Sequence, residues 1–468
     1  MFKQADAIVE SLWKNEVLDA LCRFVSLRSK SPAFEPDWEK HGLLLQALKE
    51  AAAWGGILLP HAVFEIHEEK GITPCLFVDI PATDGGRSEK TAYFYGHLDK
   101  QPEAEGWTCG REPFRPSVED GKLYGRGAAD DGYSFYCAMA AVYAMEKAGI
   151  GHPRCTAIFE TCEETGDADL AFWLGRLAGR CGNVGLITVL DGSAFDYRRL
   201  WATTSFRGVV AATVKVQVLS SSMHSGTASG VVPESFMVMR QLLERFEDSA
   251  TGEIRSPDFY AEIPPERKKQ QRQTAEILGN GFTNAFPFVE GARPRYDTMA
   301  GLLEAQAWKP QLAVIGADGL PTLPNAGNVL RTHTALRLSI RIPAHVDAGK
   351  ALESLKKTFT TDVPYGARVE IINAGGTGGW DAKPEQEWFA RALDEVSREI
   401  YGEPGAYGCD GASIPILSTY EKYFPGAQFF ITGVLGPKSN AHGPDEMLNL
   451  GYAGKLTRSV CRILARMP

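Results

Sequence analysis

Tyr93-Phe94-Tyr95-Gly96-His97-Leu98-Asp99-Lys100 closes a strand-like aromatic run, Thr91 to Tyr95, with a glycine, an imidazole and a carboxylate. Side chains two apart on an extended chain point the same way, so Asp99 can reach the ring of His97 or a neighbour that both share. A neutral imidazole steadied by a carboxylate is the arrangement in which proteins prepare a metal-ligating histidine. A purely structural histidine beside an aspartate has the same local signature. The weight therefore falls on what the rest of the chain places at other strand ends.

Outward from this stretch, strands alternate with helices. Ala7 to Val25 has the 3.6-residue apolar period of an amphipathic helix, and a second helix is expected from Asp37 to Trp54, stopped by Gly55-Gly56. Strands are expected at Val63 to Glu68, Cys75 to Ile80, Cys155 to Thr161 and Val184 to Leu190, with helices at Tyr133 to Lys147 and Leu170 to Leu177. This alternation implies an α/β layer structure around a largely parallel sheet. After Phe206-Arg207-Gly208 the character changes. Val209 to Leu219 is a long valine-rich strand of antiparallel type, a helix runs from Pro233 to Phe246, and Glu253 to Gln273 reads as surface loop and helix. Leu336, Leu338, Ile340 and Ile342 alternate with polar residues, a helix covers Asp347 to Thr358, and Arg368 to Ile372 is a strand. The cluster Gly375-Gly376-Thr377-Gly378-Gly379 marks a crossing between domains. Glu385 to Ile400, Gln428 to Val434 and Leu448 to Ala465 then read as helix, strand and helix of a return to the first domain. The resulting division is 1–206, 207–379 and 380–468.

The bulk numbers narrow the function classes. With 468 residues, 44% of them hydrophobic, the chain can bury the cores of two or three domains. A net charge of -9 without a Lys/Arg-rich run argues against a nucleic-acid surface. Nine scattered cysteines with no C-x-x-C pair suit a reducing compartment better than a disulfide framework. Met1 to Lys14 lacks a hydrophobic signal core, and no apolar run reaches membrane-spanning length, so a soluble, cytoplasmic protein is expected.

Four further places carry acids or imidazoles near strand ends. Asp130-Asp131 precede a helix, where capping is the plain explanation. Glu163 and Glu164 sit side by side after an apolar strand, where their repulsion calls for a cation or a proton. Asp191 ends another apolar strand, and His442 follows a third in Asn440-Ala441-His442-Gly443. Taken singly, each could be a turn, cap or loop residue. Taken together nearly all of them fall just past strands predicted to belong to one parallel sheet, at whose carboxyl ends such folds bind ligands. His97, Asp130, Asp191, His442 and one of the adjacent glutamates make an N/O donor set suited to zinc, with a carboxylate available for sharing between two ions. The other glutamate is left to act as a base, and spacing does not choose between them.

Gly96-His97-Leu98-Asp99, Gly125-Arg126-Gly127-Ala128-Ala129-Asp130, Glu163-Glu164-Thr165-Gly166, Asp191, His224-Ser225-Gly226 and Ala441-His442-Gly443 occur in an order that resembles a known family. It is the family of co-catalytic di-zinc metallopeptidases, which includes carnosine dipeptidases, aminoacylases, glutamate carboxypeptidase and succinyl-diaminopimelate desuccinylase. The dipeptidase branch is the nearest. The resemblance implies a helix-sandwiched, mostly parallel catalytic sheet with a smaller inserted α+β lid that dimerises. It also implies a pair of zinc ions per subunit, with manganese or cobalt as stand-ins. His97 and Asp191 would hold one ion, Glu164 and His442 the other, and Asp130 would bridge them. Glu163 would be the base and Asp99 would orient His97. The Asp130–Asp131 peptide resembles one that is cis in the family. His224 would stabilise an oxyanion, often in the neighbouring subunit, and Asn328 resembles a cross-subunit polar contact. Arg341 resembles the binder of a substrate carboxylate. Asp410 and Ser413 resemble a loop that meets the substrate's termini.

The implied activity is hydrolysis of dipeptides or short peptides with a free C-terminus, by a soluble homodimer that engages neither nucleic acid nor membrane. Two alternatives stand beside it: an N-acyl-amino-acid amidohydrolase, and a catalytically silent peptide-binding member. Two positions depart from the family pattern. Gly132-Tyr133 replaces a common Lys-Gly, and Gly378-Gly379-Trp380 stands where carnosine dipeptidases carry His-Pro-Trp, which weakens the case for carnosine itself.

Overall fold

The computed structural model describes residues 2–83, 88–166 and 168–468. Its central sheet has six strands in the order Val63–Glu69, Ile72–Ile80, Cys155–Glu160, Thr91–His97, Val184–Val189 and Gln428–Ile431. The last four run parallel to one another, while the first two join antiparallel. Thr91–His97, Cys155–Glu160 and Val184–Val189 are buried along their whole length. That is why they read as continuous apolar runs: helices cover both faces of the sheet. Successive side chains of Thr91–His97 go to opposite layers. Ala92 and Phe94 enter a core shared with the helices Tyr133–Lys147 and Leu450–Leu464. Tyr93 and Tyr95 enter a second core, with Trp173 and Leu174 of one helix and Leu417 and Tyr420 of another.

Between these segments lies a four-stranded antiparallel sheet, ordered Gln311–Asp318, His333–Ile342, Gly208–Gln217 and Arg368–Thr377. Gly208–Gln217 alternates between buried and half-buried positions, and its inward residues Val210, Ala212, Val214 and Val216 pack with the helices Ser235–Phe246 and Ala348–Thr360. This core is separate from the other two. A third, three-stranded sheet pairs Trp201–Phe206 with Ala406–Asp410 and with Trp380–Asp381, and so ties the chain before and after the inserted sheet together. The two connections run close side by side. A Cβ on Gly379 would stand 2.5 Å from the Phe206 carbonyl and 2.7 Å from Ala344 Cα, which explains a glycine there.

Three local expectations are corrected. The second helix breaks earlier, at left-handed Gly42, and then runs from Leu43 to Leu58 straight through Gly55-Gly56. Gly55 is needed for packing, because a Cβ there would collide with the Phe64 ring. The glycine cluster is largely strand: Gly375 and Gly376 pair with Ala211 and Val210, and only Gly378 and Gly379 make the crossing. The polar segment before residue 273 is not all surface either. The helix Pro265–Leu278 buries Arg267, Gln270, Gln271 and Thr274, each hydrogen-bonded: Arg267 to Asp381 at 2.6 Å, Gln270 to Thr204 at 2.8 Å, Gln271 to the Leu303 carbonyl at 3.2 Å and Thr274 to the Tyr407 carbonyl at 2.7 Å. Buried polar groups are tolerated once their hydrogen bonds are made. Among the described residues no helix is long and apolar enough to cross a membrane, and all nine cysteines are free.

Candidate metal centre

His97 is the last residue of its strand, and a parallel neighbour flanks it on each side. One neighbour, Cys155–Glu160, leads into the short turn Glu163–Thr165; the other, Val184–Val189, leads to Asp191. Asp130 lies in the loop before the helix Tyr133–Lys147, and its peptide bond to Asp131 is cis. His442 comes from the loop beyond Gln428–Ile431. Gly96 has to be glycine, because a Cβ would strike Ser134 Oγ and lie 2.7 Å from Asp131 Oδ2.

These residues converge. His97 Nε2 is 3.3 Å from Asp130 Oδ1, 3.8 Å from Asp191 Oδ2 and 3.9 Å from Glu163 Oε2. His442 Nε2 is 2.9 Å from Asp130 Oδ2 and 3.2 Å from Glu164 Oε2. Two groups result, each tight enough to surround one ion: His97, Asp130 and Asp191, and Asp130, Glu164 and His442. His97 Nε2 is completely buried yet makes no hydrogen bond, which a buried imidazole nitrogen tolerates when a metal occupies its lone pair. Four carboxylates face only two imidazoles, and the titration behaviour reflects that imbalance. Burial, then the charge of Asp130, pushes Asp191 and Glu164 upward. Burial opposes charge on both imidazoles, but Asp130 and Asp99 hold His97 well above its usual range, and Asp130 and Glu164 lift His442 to about 11. Such a site is short of positive charge. The orphaned nitrogen and the donor set fit divalent metal ions.

The supporting contacts go further than sequence reasoning reached. Asp99 lies beside His97, its Oδ1 3.3 Å from Nδ1, and its carboxylate also accepts the backbone N–H groups of Glu163 at 3.2 Å and Glu164 at 3.1 Å. One buried side chain therefore positions both the imidazole and the paired glutamates. Glu446, given no role by sequence, is fully buried and gathers the other loop. It accepts from Arg126 Nη1 at 2.8 Å and from the N–H groups of Gly127, Ala129 and Asp130 at 3.1 to 3.2 Å. Burial pushes its carboxyl up to about 7, against the pull of Arg126. Arg126 Nη2 in turn donates to the carbonyls of His442 and Gly443, both at 3.0 Å. The only advance signal was an arginine between two glycines just ahead of Asp130. Gln101 donates to Glu164 Oε2 at 2.6 Å and was also missed.

A cavity of about 270 Å³ opens over the centre, lined by Asp130, Glu163, Asp191 and His442 on one side and by Arg341, Asp410 and Ser413 on the other. Arg341 comes from the inserted sheet and donates to Ser413 Oγ at 2.8 Å. Asp410 ends a strand beside Phe206; its Oδ2 accepts from Ser193 Oγ and its Oδ1 from the Ala412 N–H at 2.8 Å. Neither His224 nor Asn328 lines this cavity. They flank an exposed two-stranded pairing in which His224 faces Val329 and the Ser225 N–H donates to the Asn328 carbonyl at 2.9 Å.

With this geometry in view, residues 93–466 match the model of Peptidase family M20/M25/M40. The chain belongs to that family. Among curated relatives, the cysteinylglycine-S-conjugate dipeptidase of Corynebacterium striatum is 25% identical over 375 residues, 77% of each chain. The Cys-Gly metallodipeptidase DUG1 of Saccharomyces cerevisiae is 25% identical over 346 residues, 71% of this chain and 70% of that one. Human Beta-Ala-His dipeptidase is 26% identical over 341 residues, 71% of this chain and 66% of its own. The crystal structure of human carnosine dipeptidase 1 has the same fold, with a TM-score of 0.79 at 20% identity, covering 99% of this chain and 98% of that one. Membership in the M20 family makes the chain a metal-dependent peptidase-type hydrolase, and amide-bond hydrolysis in short peptides is the reaction class its relatives support.

Proposed function

We propose that the chain is a two-metal exopeptidase that hydrolyses dipeptides or short peptides with a free C-terminus. The observation that carries this reading is the division of Asp130. One of its oxygens faces His97 and the other faces His442, so a single carboxylate belongs to both three-residue groups. In this reading His97 and Asp191 hold one ion, Glu164 and His442 hold the second, and Asp130 is shared. The mixed imidazole and carboxylate donors suit zinc, with manganese or cobalt as stand-ins. Bound there, the ions would polarise the scissile carbonyl and acidify the attacking water.

The chain's own groups supply the rest. Asp99 lies against His97 Nδ1 and so turns Nε2 toward the donor cluster. Glu163 lines the cavity and is the base, taking a proton from water and returning it to the leaving amine. Arg341, with no ion-pairing carboxylate among the described residues, receives the substrate's terminal carboxylate while Ser413 fixes its guanidinium. The exposed pair His224 and Asn328 serves the site of a second subunit in a homodimer built through the lid, residues 207–379, with His224 steadying the oxyanion. Residues 1–206 and 380–468 form the catalytic domain. Nine unpaired cysteines are in keeping with a cytoplasmic location.

One observation favours a second reading, N-acyl-amino-acid hydrolysis. Both oxygens of Asp410 already accept hydrogen bonds, from Ser193 and the Ala412 N–H, so the fold itself uses this carboxylate and less of its acceptor capacity is left for a substrate amine. Comparing free with N-acetylated dipeptides on the zinc-loaded protein separates the two. Preference for free dipeptides supports the exopeptidase, preference for blocked ones supports the acylase, and cleavage of neither refutes both.

A further inference from the structure

Behind the loop that carries Asp410 and Ser413 lies a larger cavity, about 470 Å³, whose walls include Arg207, Arg293, Arg295, Phe286, Phe288 and Tyr296. None of the described residues lining it is acidic. Arg207 is only 9% exposed, and its hydrogen bonds go to neutral acceptors, the Gly411 carbonyl at 3.0 Å and the Lys309 carbonyl at 3.5 Å. Among the described residues no carboxylate lies within ion-pair distance of it. Burial, reinforced by the charge of nearby Arg341 and only partly offset by that of Asp410, pushes this guanidinium down to about 10. Arg295 hydrogen-bonds neutral groups, Gln311 Oε1 and the Thr251 carbonyl, with Glu247 near enough to feel its charge, and Arg293 is exposed with no hydrogen bond or ion pair among the described residues. A buried cation left unpaired by the fold is stabilised by an incoming anion.

The apolar part of the wall is equally incomplete. Phe286 and Phe288 are 46% and 48% exposed although they flank the same opening. Half-exposed aromatic rings beside cations suit a flat ring that bears a negative charge. This cavity is distinct from the one over the metal centre, and Gly411 stands in the wall between them. A Cβ on that glycine would meet Arg207 Nη2 and Gln306 Cγ, both at 3.0 Å, whereas Asp410, Ala412 and Ser413 line the metal side.

We propose that this cavity is a second ligand site, for an organic anion that carries an aromatic ring, with its acidic group between Arg207 and Arg293 and its ring among Phe286, Phe288 and Tyr296. The reading does not depend on which amide the metal centre cleaves. Titration calorimetry with naphthalene-2-sulfonate on the full, zinc-loaded chain tests it, with the metal site blocked by a phosphinic dipeptide analogue. The expected result is one site per chain that survives the block. Arg293→Ala and Phe288→Ala, both at exposed positions, are each expected to weaken it about tenfold with an unchanged melting temperature. Arg207→Gln is expected to weaken it further, and uncharged 2-naphthol to bind about tenfold less tightly than the sulfonate. Absence of binding in the millimolar range, displacement by the phosphinic analogue, equal binding of 2-naphthol, or wild-type affinity in Arg293→Ala would each overturn the proposal.

Discussion

Replacing Asp99 by alanine should loosen the centre and the fold together, because one carboxylate serves three groups. The N–H groups of Glu163 and Glu164 lose their acceptor, and the fully buried His97 Nδ1 loses the carboxylate beside it and keeps only the backbone carbonyl of residue 99, at 3.3 Å. The two backbone bonds are only part-buried, so each is set near the low end for an unmet donor, about 1 kcal/mol, and the imidazole contact adds about 1 more. The sum is about 3 kcal/mol. With a denaturant slope of about 3 kcal/mol per molar, the urea midpoint should fall by about 1 M. The measurement belongs on metal-free protein, since bound ions would stabilise the native state by mass action and mask the loss. Asp99→Asn keeps one oxygen acceptor and turns an amide toward another donor, so it should fall between wild type and alanine. Once metal is restored, both variants should bind it about 10- to 100-fold more weakly. A wild-type urea midpoint in the metal-free alanine variant would refute the claim that Asp99 holds the glutamate turn.

Other outcomes follow from the same geometry. Glu163→Gln should retain both metals by elemental analysis and lose about 10²- to 10⁴-fold in turnover; retained turnover would mean that the base lies elsewhere. Metal binding should release protons, because neighbouring carboxylates hold His97 and His442 protonated in the metal-free protein and a ligating imidazole must be neutral. Apparent affinity should therefore fall as pH is lowered, and calorimetry in two buffers of different ionisation enthalpy should give different heats. Arg341→Ala should raise KM for free-carboxylate substrates with little change for their C-terminal amides, a split that steady-state kinetics reads directly. Gly379→Ala should lower the melting temperature by the equivalent of about 1–3 kcal/mol, since its Cβ would press on rigid backbone at Phe206 and Ala344.

The parts of the fold that were legible in the sequence are those with a local signature. Fully buried strands such as Val184–Val189 are short apolar runs, and the residues that follow them carry the chemistry. Glycine was less informative, because a glycine that ends a helix and one that lets a ring approach look alike. Gly42 does the first and Gly55 the second. Composition misled at Pro265–Leu278, whose polar residues are buried only because Asp381, Thr204 and the Leu303 and Tyr407 carbonyls meet them. Those partners lie far along the chain, so no window of sequence contains the reason. Arg126 and Glu446 were out of reach for the same cause, being 320 residues apart.

That distant pair explains a pairing the sheet alone does not produce. Along the strand order, the turn with Glu163 and Glu164 follows one strand, His97 the next, Asp191 the next, and His442 the one beyond. Neighbouring strand ends account for His97 meeting Asp191. By sheet order His442 should also lie beside Asp191, yet its Nε2 sits 3.2 Å from Glu164 Oε2, across two intervening strand ends. The loop from 432 to 446 must therefore fold back over the sheet edge. The Arg126 guanidinium, held by Glu446, grips the His442 and Gly443 carbonyls at the point where that loop turns. Because Glu446 also accepts the Asp130 N–H, the same clamp fixes the shared carboxylate and the histidine that approaches it from above. The meeting of His97 with Asp191 is thus a product of strand order, and the meeting of His442 with Glu164 and Asp130 a product of a buried ion pair that folds one loop onto another.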